Sequence, residues 1–229
     1  MSGHRILIVD DEPQILRFLR PALTAADYEV IEAETGAQAI QKVATAAPDL
    51  VILDLGLPDM DGKDVIARLR GWSDIPIIIL SARDRETEKI AALDLGADDY
   101  IEKPFGIGEL TARIRTALRH RVRQQAGSEK IETNGLMIDF VRRRVERDGL
   151  SLKLTPKEHD LLELLALHSG KVVTHKTLLT SVWGPAHAED LQYLRVFIGQ
   201  LRAKIERDPA NPVFIVTEPG IGYRFIEGE

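Results

Sequence analysis

Three short apolar runs recur in the first half of the chain, each closed by a polar residue. Ile6-Leu7-Ile8-Val9 precedes Asp10-Asp11, Leu50-Val51-Ile52-Leu53 precedes Asp54, and Ile77-Ile78-Ile79-Leu80 precedes Ser81. Each is too short for a helix and apolar throughout, the pattern of a strand buried on both faces. The runs at 29–32 and 99–102 mix apolar and charged positions, as edge strands do. Between them, amphipathic stretches predict helices near 13–26, 35–46, 61–71, 84–95 and 106–123. In the last, Ile107, Leu110, Ile114, Ala117 and Val122 fall near one face. Five strand–helix repeats predict a doubly wound α/β fold, a five-stranded parallel sheet covered on both faces.

The pattern changes after residue 123. Residues 124–130 (Gln-Gln-Ala-Gly-Ser-Glu-Lys) are polar and predict a linker between a domain at 1–123 and another at 131–229. Short antiparallel strands are expected at 136–140, 144–147 and 150–154, with Asp148-Gly149 as a hairpin turn. Thr155-Pro156-Lys157-Glu158 predicts a helix start, with Thr as N-cap, Pro first and Glu third. That helix should run to Leu167. A second begins at Thr174 and a third covers 189–206, joined by a turn containing Gly184-Pro185. Leu191, Leu194, Ile198, Leu201 and Ile205 form a buried stripe on the third. The chain closes with a hairpin, 214–217 and 223–226, around Pro219-Gly220-Ile221-Gly222.

Composition narrows the classes. The chain has 229 residues, 44% hydrophobic and 29% charged, as in a globular protein rather than a disordered one. No run reaches ~18 apolar residues and the first is only four long, so a membrane span and a signal peptide are not expected, and a cytoplasmic location is. With no cysteine, disulfides, thiolate catalysis and zinc–cysteine sites are excluded. The net charge of −6 is unevenly spread: residues 1–112 carry 11 basic and 21 acidic groups, followed by Arg113, Arg115, Arg119, Arg121 and Arg123. An acidic body and a nearly neutral one with basic clusters suggest two tasks.

Asp10, Asp11 and Asp54 stand at the C-terminal ends of two predicted core strands, the edge where open α/β sheets bind ligands. Clustered carboxylates repel one another, and a hard divalent cation such as Mg²⁺ relieves that with oxygen ligands. Ser81 ends another strand, and Lys103 follows the last. Taken singly, each has the character of a helix cap or a surface charge. Together at one edge, carboxylates, metal, hydroxyl and ammonium make a site for phosphoryl transfer.

Val9-Asp10-Asp11-Glu12, Asp54-Leu55-Gly56-Leu57-Pro58-Asp59-Met60-Asp61-Gly62, Ser81-Ala82, Gly96-Ala97-Asp98-Asp99-Tyr100 and Lys103-Pro104-Phe105 resemble the receiver domain of bacterial response regulators. The resemblance covers about residues 4–122 and implies a flavodoxin-like fold with strand order 2-1-3-4-5. It implies that Asp54 is the phosphoacceptor, charged by a sensor histidine kinase. Mg²⁺ is then held by Asp10, Asp11, Asp54 and the backbone carbonyl of Gly56. Lys103 pairs with the phosphoryl oxygens, Ser81 moves to bond them, Tyr100 turns inward with it, and the Lys103–Pro104 peptide is cis.

The second half, about 131–227, looks like the winged helix-turn-helix effector domain of the OmpR/PhoB subfamily. The residues that carry this are Leu154 to Glu158 with Leu161-Leu162, Val182-Trp183-Gly184, Leu201-Arg202-Ala203-Lys204-Ile205-Glu206 and Gly220-Ile221-Gly222-Tyr223-Arg224-Phe225. If the 191–205 stripe is buried, the opposite side presents Gln192, Val196, Gly199, Gln200, Ala203 and Arg207. Arg195, Arg202 and Lys204 flank it. Gln pairs with adenine, Val contacts a thymine methyl and basic groups suit phosphates. The resemblance places base contacts near Val196 and Gln200 and phosphate contacts at Trp183, Arg202 and the wing. Many members carry Arg before the wing's first Gly; here Glu218-Pro219 stand there, leaving Arg224 as the wing cation.

Trp183-Gly184-Pro185, Lys103 to Leu110 and Thr217 to Phe225 further resemble regulators of potassium-uptake (kdp) operons. That implies a KdpD-like sensor kinase, promoter DNA and RNA polymerase as partners, and no enzymatic turnover. The family also implies homodimerisation on phosphorylation through 84–123, with Lys89 facing Glu109, Asp99 facing Arg113 and Asp94 facing His120. Two other readings remain. A Mg²⁺-dependent aspartyl-phosphate phosphatase would need an acid two residues after Asp54, where Gly56 stands. A receiver with a protein-binding output would not need the wing.

Overall fold

A computed structural model describes residues 3–82, 86–126 and 130–228, in two compact units, Met1–Val122 and Arg123–Glu229. The first unit alternates strand and helix: β1 (Arg5–Val9), α1 (Pro13–Ala25), β2 (Glu29–Ala33), α2 (Gly36–Ala46), β3 (Leu50–Asp54), α3 (Gly62–Arg70), β4 (Ile77–Ala82), α4 (Glu86–Asp94), β5 (Asp99–Lys103) and α5 (Ile107–Ala126). The strands pair in parallel in the order β2-β1-β3-β4-β5. This is the doubly wound sheet and strand order expected. The apolar runs are buried on both faces. One face, with Ile6, Ile8, Leu50, Ile52, Ile78 and Leu80, packs on Leu16, Leu19 and Leu23 of α1 and Leu110 and Ile114 of α5. The period-two alternation sends Leu7, Val9, Val51, Leu53 and Ile79 to the other face.

Helix α5 continues to Ala126, so residues 124–126 are helical rather than linker; 127–129 lie outside the described residues. The second unit opens with a four-stranded antiparallel sheet, β6 (Lys130–Thr133), β7 (Leu136–Asp139), β8 (Arg144–Arg147) and β9 (Leu150–Ser151). Three helices follow: α6 (Pro156–Leu167), α7 (His175–Trp183) and α8 (Leu191–Ile205). Helix α6 starts in a full capping box, Thr155 and Glu158 satisfying each other's backbone N–H groups. A second sheet has the order β10-β12-β11, from β10 (Val172–Thr174), β11 (Ile215–Glu218) and β12 (Gly222–Phe225). Leu161, Leu165, Leu178, Leu194, Ile198, Leu201, Ile205, Phe214 and Phe225 share one core. The expected stripe on α8 holds except at Leu191, which is 37% exposed in the first turn.

Candidate functional site

The order β2-β1-β3 reverses the chain's winding between β1 and β3, and the crevice there opens at the strands' C-terminal ends. The register pairs Val9 with Leu53, so Asp10 and Asp54 emerge side by side. Gly62, at the start of α3, permits this: a Cβ there would lie 2.7 Å from Leu55 Cα and 2.8 Å from the Asp54 carbonyl oxygen. Asp59 closes the neighbouring loop by accepting from the Gly36 and Ala37 N–H groups at the start of α2. Those two bonds, Ala37's first, hold its carboxyl below the usual carboxylate range.

Lys103, the last residue of β5, reaches across the edge. Its Nζ lies 2.7 Å from Asp54 Oδ1, 3.2 Å from Asp10 Oδ2 and 3.4 Å from Glu12 Oε1. The other Asp54 oxygen accepts the Gly56 N–H at 2.6 Å, and the other Asp10 oxygen accepts the Glu12 N–H at 2.9 Å. Asp10 is fully buried. Desolvation raises its pKa above the ordinary value, and the charge of Asp54 adds to that; the Glu12 N–H and Lys103 oppose it. Burial alone would lower the Lys103 pKa, but the hydrogen bond and charge of Asp54, and then Asp10, hold it above the ordinary lysine range. Asp11 is exposed beside them. A buried carboxylate that another carboxylate repels, among all-oxygen donors, fits a hard divalent cation. Ser81 and Tyr100 are both buried, and the Lys103–Pro104 peptide is cis.

The charges expected on the 84–123 face are not simply displayed to solvent. Lys89 is 2% exposed, with Nζ 2.6 Å from Glu102 Oε1 and 5.4 Å from the Tyr100 ring centroid. Asp98 is buried and meets Arg70 at 3.0 Å and the Ile77 N–H at 2.7 Å. Asp99 is buried too, and pairs within its own chain with Arg113 at 3.0 Å; Arg113 also meets Glu109 at 3.0 Å. Asp94 is exposed. The side chain of His120 lies outside the described residues, and with it the Asp94–His120 contact.

In the second unit, the outward face of α8 presents Gln192, Arg195, Val196, Gly199, Gln200 and Ala203, all exposed, whereas Arg207, expected on that face, lies past the end of the helix and pairs with Asp148 at 3.3 Å. Three expected cations are otherwise engaged. Arg202 donates to the Ile215 carbonyl (2.6 Å) and Thr217 Oγ1 (2.8 Å) and stacks over Tyr223, so it ties α8 to β11. Lys204 pairs with the α6 capping residue Glu158 at 2.5 Å. Arg224 is a correction: it is buried and bound to Glu218 (2.7 Å) and the Gly170 carbonyl (2.7 Å), not the wing's exposed cation. The reason is topological. Strand β10 makes β12 the central strand of three, so its side chains are covered. Trp183 is half-buried, edge-on to Tyr193 and Phe197, and its indole N–H has no hydrogen-bond partner. The sequence pattern names Glu12, Glu158 and Glu218 but not their pairing with Lys103, Lys204 and Arg224, which emerges only on folding.

Among the described residues no helix is long and apolar enough to cross a membrane. The response regulator receiver domain family matches residues 6–115, and the family described as transcriptional regulatory protein, C terminal, matches residues 149–225. The transcriptional regulatory protein KdpE of Mycobacterium tuberculosis is 51% identical over 224 residues, covering 96% of this chain and 98% of that one. The KDP operon transcriptional regulatory protein KdpE of Escherichia coli is 50% identical over 221 residues, covering 96% and 98%. The crystal structure of the response regulator DrrB, a Thermotoga maritima OmpR/PhoB homolog, superposes with a TM-score of 0.50 at 29% identity, covering 98% of this chain and 99% of that one. With a receiver sheet followed by a winged-helix domain, and with relatives at this level along nearly its whole length, the chain belongs to the OmpR/PhoB-type response regulators and is similar to KdpE.

Proposed function

We propose that Asp54 accepts a phosphoryl group from a KdpD-like sensor histidine kinase, and that the phosphorylated chain dimerises and binds promoter DNA of potassium-transport (kdp) genes, where it engages RNA polymerase. The observation that carries this is the Lys103 ammonium 2.7 Å from Asp54 at the crevice of the sheet. Bound Mg²⁺, held by Asp10, Asp11, Asp54 and the Gly56 carbonyl, would neutralise phosphoryl oxygens. An Asp54 oxygen attacks the phosphorus of the kinase's phosphohistidine; the P–O bond forms, the P–N bond breaks, and the imidazole takes up a proton. Lys103 keeps its positive charge, held by its acidic neighbours, beside the oxygens of the new acyl phosphate. Ser81, one strand away at the end of β4, supplies a hydroxyl to those oxygens, and buried Tyr100 on β5 follows its movement.

The relatives' names support the potassium operon as target. For the output, α8 enters the major groove with Val196 and Gln200 toward bases and Arg195 toward phosphate, while Trp183 braces its start. A dimer through α4, β5 and α5 raises the local concentration of two tethered winged helices on repeated half-sites. Intact-mass measurement after incubation with a small phosphodonor and Mg²⁺ should find one phosphoryl group on the wild type and none on Asp54→Asn. The same adduct on both would refute the assignment. Footprinting upstream of the potassium-transport genes, with and without phosphorylation, tests the target.

A further inference from the structure

Helix α6 carries a cluster that the phosphoryl and DNA chemistry do not use. His159 and Glu163 are one turn apart and share a face, with Asp160 at its margin. The His159 nitrogen, the Asp160 carboxylate and the Glu163 carboxylate all lie within 4.8 Å of one another. His159 is 6% exposed, and neither of its ring nitrogens has a hydrogen-bond partner. A buried imidazole left in that state sacrifices the hydrogen bonds that water would give it. Its Nδ1 is nevertheless aimed at Glu163, 3.4 Å from Oε2. That separation is close to the edge of a tetrahedron, about 3.3 Å for ligand bonds of about 2.0 Å to a central zinc.

We propose that His159, Asp160 and Glu163 form a binding site for a divalent transition-metal ion of the Zn²⁺ class, with a fourth position left to water. An imidazole with two carboxylates is a donor set that suits Zn²⁺, whereas Mg²⁺ and Ca²⁺ take oxygen alone. The cluster already holds a cation. The Arg143 guanidinium lies 2.6 Å from Asp160 and 3.8 Å from Glu163, from the turn between β7 and β8, with half its side chain in solvent. It satisfies the carboxylates but leaves the imidazole unsatisfied. A metal ion would take one ligand atom from each of the three, Nδ1 from the imidazole, and Arg143 would swing into water as it binds. Arg143 is therefore a competitor that sets the affinity.

Co²⁺ serves as the spectroscopic probe for Zn²⁺. The full chain, with excess Mg²⁺ to fill the receiver site, is titrated with Co²⁺ and the visible ligand-field bands are recorded; Zn²⁺ should then abolish them. The wild type should show one saturable set of bands. His159→Asn should weaken binding at least tenfold, and Arg143→Gln should tighten it several-fold by removing the competitor. If His159→Asn fails to fold, Glu163→Gln takes its place with the same expected loss. Absence of bands in the wild type, or the same titration in wild type and in His159→Asn or Glu163→Gln, would overturn the site. Neither outcome bears on Asp54 or on DNA binding, which the mass and footprinting measurements test separately.

Discussion

Replacing Arg224 by Ala should break the second unit's fold energetics while leaving its electrostatic hold on DNA unchanged. The arginine sits on the central strand of the β10-β12-β11 sheet, paired across to Val172 and Val216. Its Nε is 2.7 Å from Glu218 and its Nη1 2.7 Å from the Gly170 carbonyl, with side-chain exposures of 7% for the arginine and 14% for the glutamate. Truncation strands a mostly buried carboxylate and removes a charged donor from a carbonyl. Breaking one side of such a pair costs about 3–5 kcal/mol. Against a typical domain stability of about 5–15 kcal/mol, that is a large fraction. For a unit of this size, each kcal/mol moves the melting temperature by about 4–8 °C, so a fall of at least about 12 °C is expected.

The assay has two arms. Thermal unfolding of the effector unit within the full chain should show the fall. Replacing both partners by methionine should cost less than Arg224→Met alone, because no charge is then stranded. DNA binding, measured at low temperature where the variant is folded, should keep the wild-type dependence on salt. A lost phosphate contact would instead flatten the log–log slope by about 1. An Arg224→Ala protein that melted with the wild type and bound with a flatter slope would show the arginine facing the backbone of DNA, and the burial argument would be wrong.

Gln200→Ala should relax base preference at one operator position by about 1–3 kcal/mol, measured by competition among single-base variants; an equal loss on every sequence would show that α8 sits differently. Asp10→Asn should raise the receiver's melting temperature at neutral pH. Burial raises the folded-state pKa of Asp10 above its unfolded value, so the native state binds the proton more tightly and stability falls as pH climbs through that interval; an amide removes the penalty, and an unchanged or lower melting temperature would contradict it. Glu109→Arg should weaken the phosphorylated dimer at least tenfold by sedimentation, yet scarcely move monomer stability, since Glu109 is half-exposed and its i,i+4 pair with Arg113 is worth only about 0.3–0.5 kcal/mol. An unchanged dimer would place the interface elsewhere.

The receiver was legible because its core strands announce themselves. A run such as Ile6-Leu7-Ile8-Val9 has one comfortable place, between two helical layers, and the acid that follows it must then lie at the sheet's edge. What the periodicity could not carry was short strands. Lys130-Ile131-Glu132-Thr133 has a single apolar residue beside a polar stretch, so its pattern predicts no strand there, and its first residue falls in the expected linker. Val172-Val173-Thr174 is three residues long and merges with the cap of α7. Missing β10 had a consequence beyond one strand. A wing read as a two-stranded hairpin leaves Arg224 in solvent; a wing of three strands buries it and recruits Glu218 to neutralise it. Pro219 stands at the position before the wing's first Gly where the family resemblance implies an arginine, so the wing lacks that cation and internalises another, Arg224.

Charged residues on the α4–β5–α5 face follow a similar logic. Sequence pattern assigns Lys89, Asp99 and Arg113 to a surface because charges are seldom buried. The fold buries the first two by pairing them locally, Lys89 with Glu102 and Asp99 with Arg113. In the proposed dimer, Lys89 and Asp99 would exchange these partners for the same kinds of group on a second copy. Such an exchange conserves the number of ion pairs and contributes little net energy, so it selects the partner and the register rather than driving association. In that proposal the bias would come from the phosphoryl group, through Ser81 and through Tyr100, over whose ring Lys89 rests. About 5.5 kcal/mol suffices to turn a 1% conformer into a 99% one, and in the proposed switch it would have to come from bonds to phosphoryl oxygens that are made in one conformer and not in the other. A face whose charges are already satisfied in the monomer also protects the unphosphorylated chain from chance pairing, which is the property a switch requires.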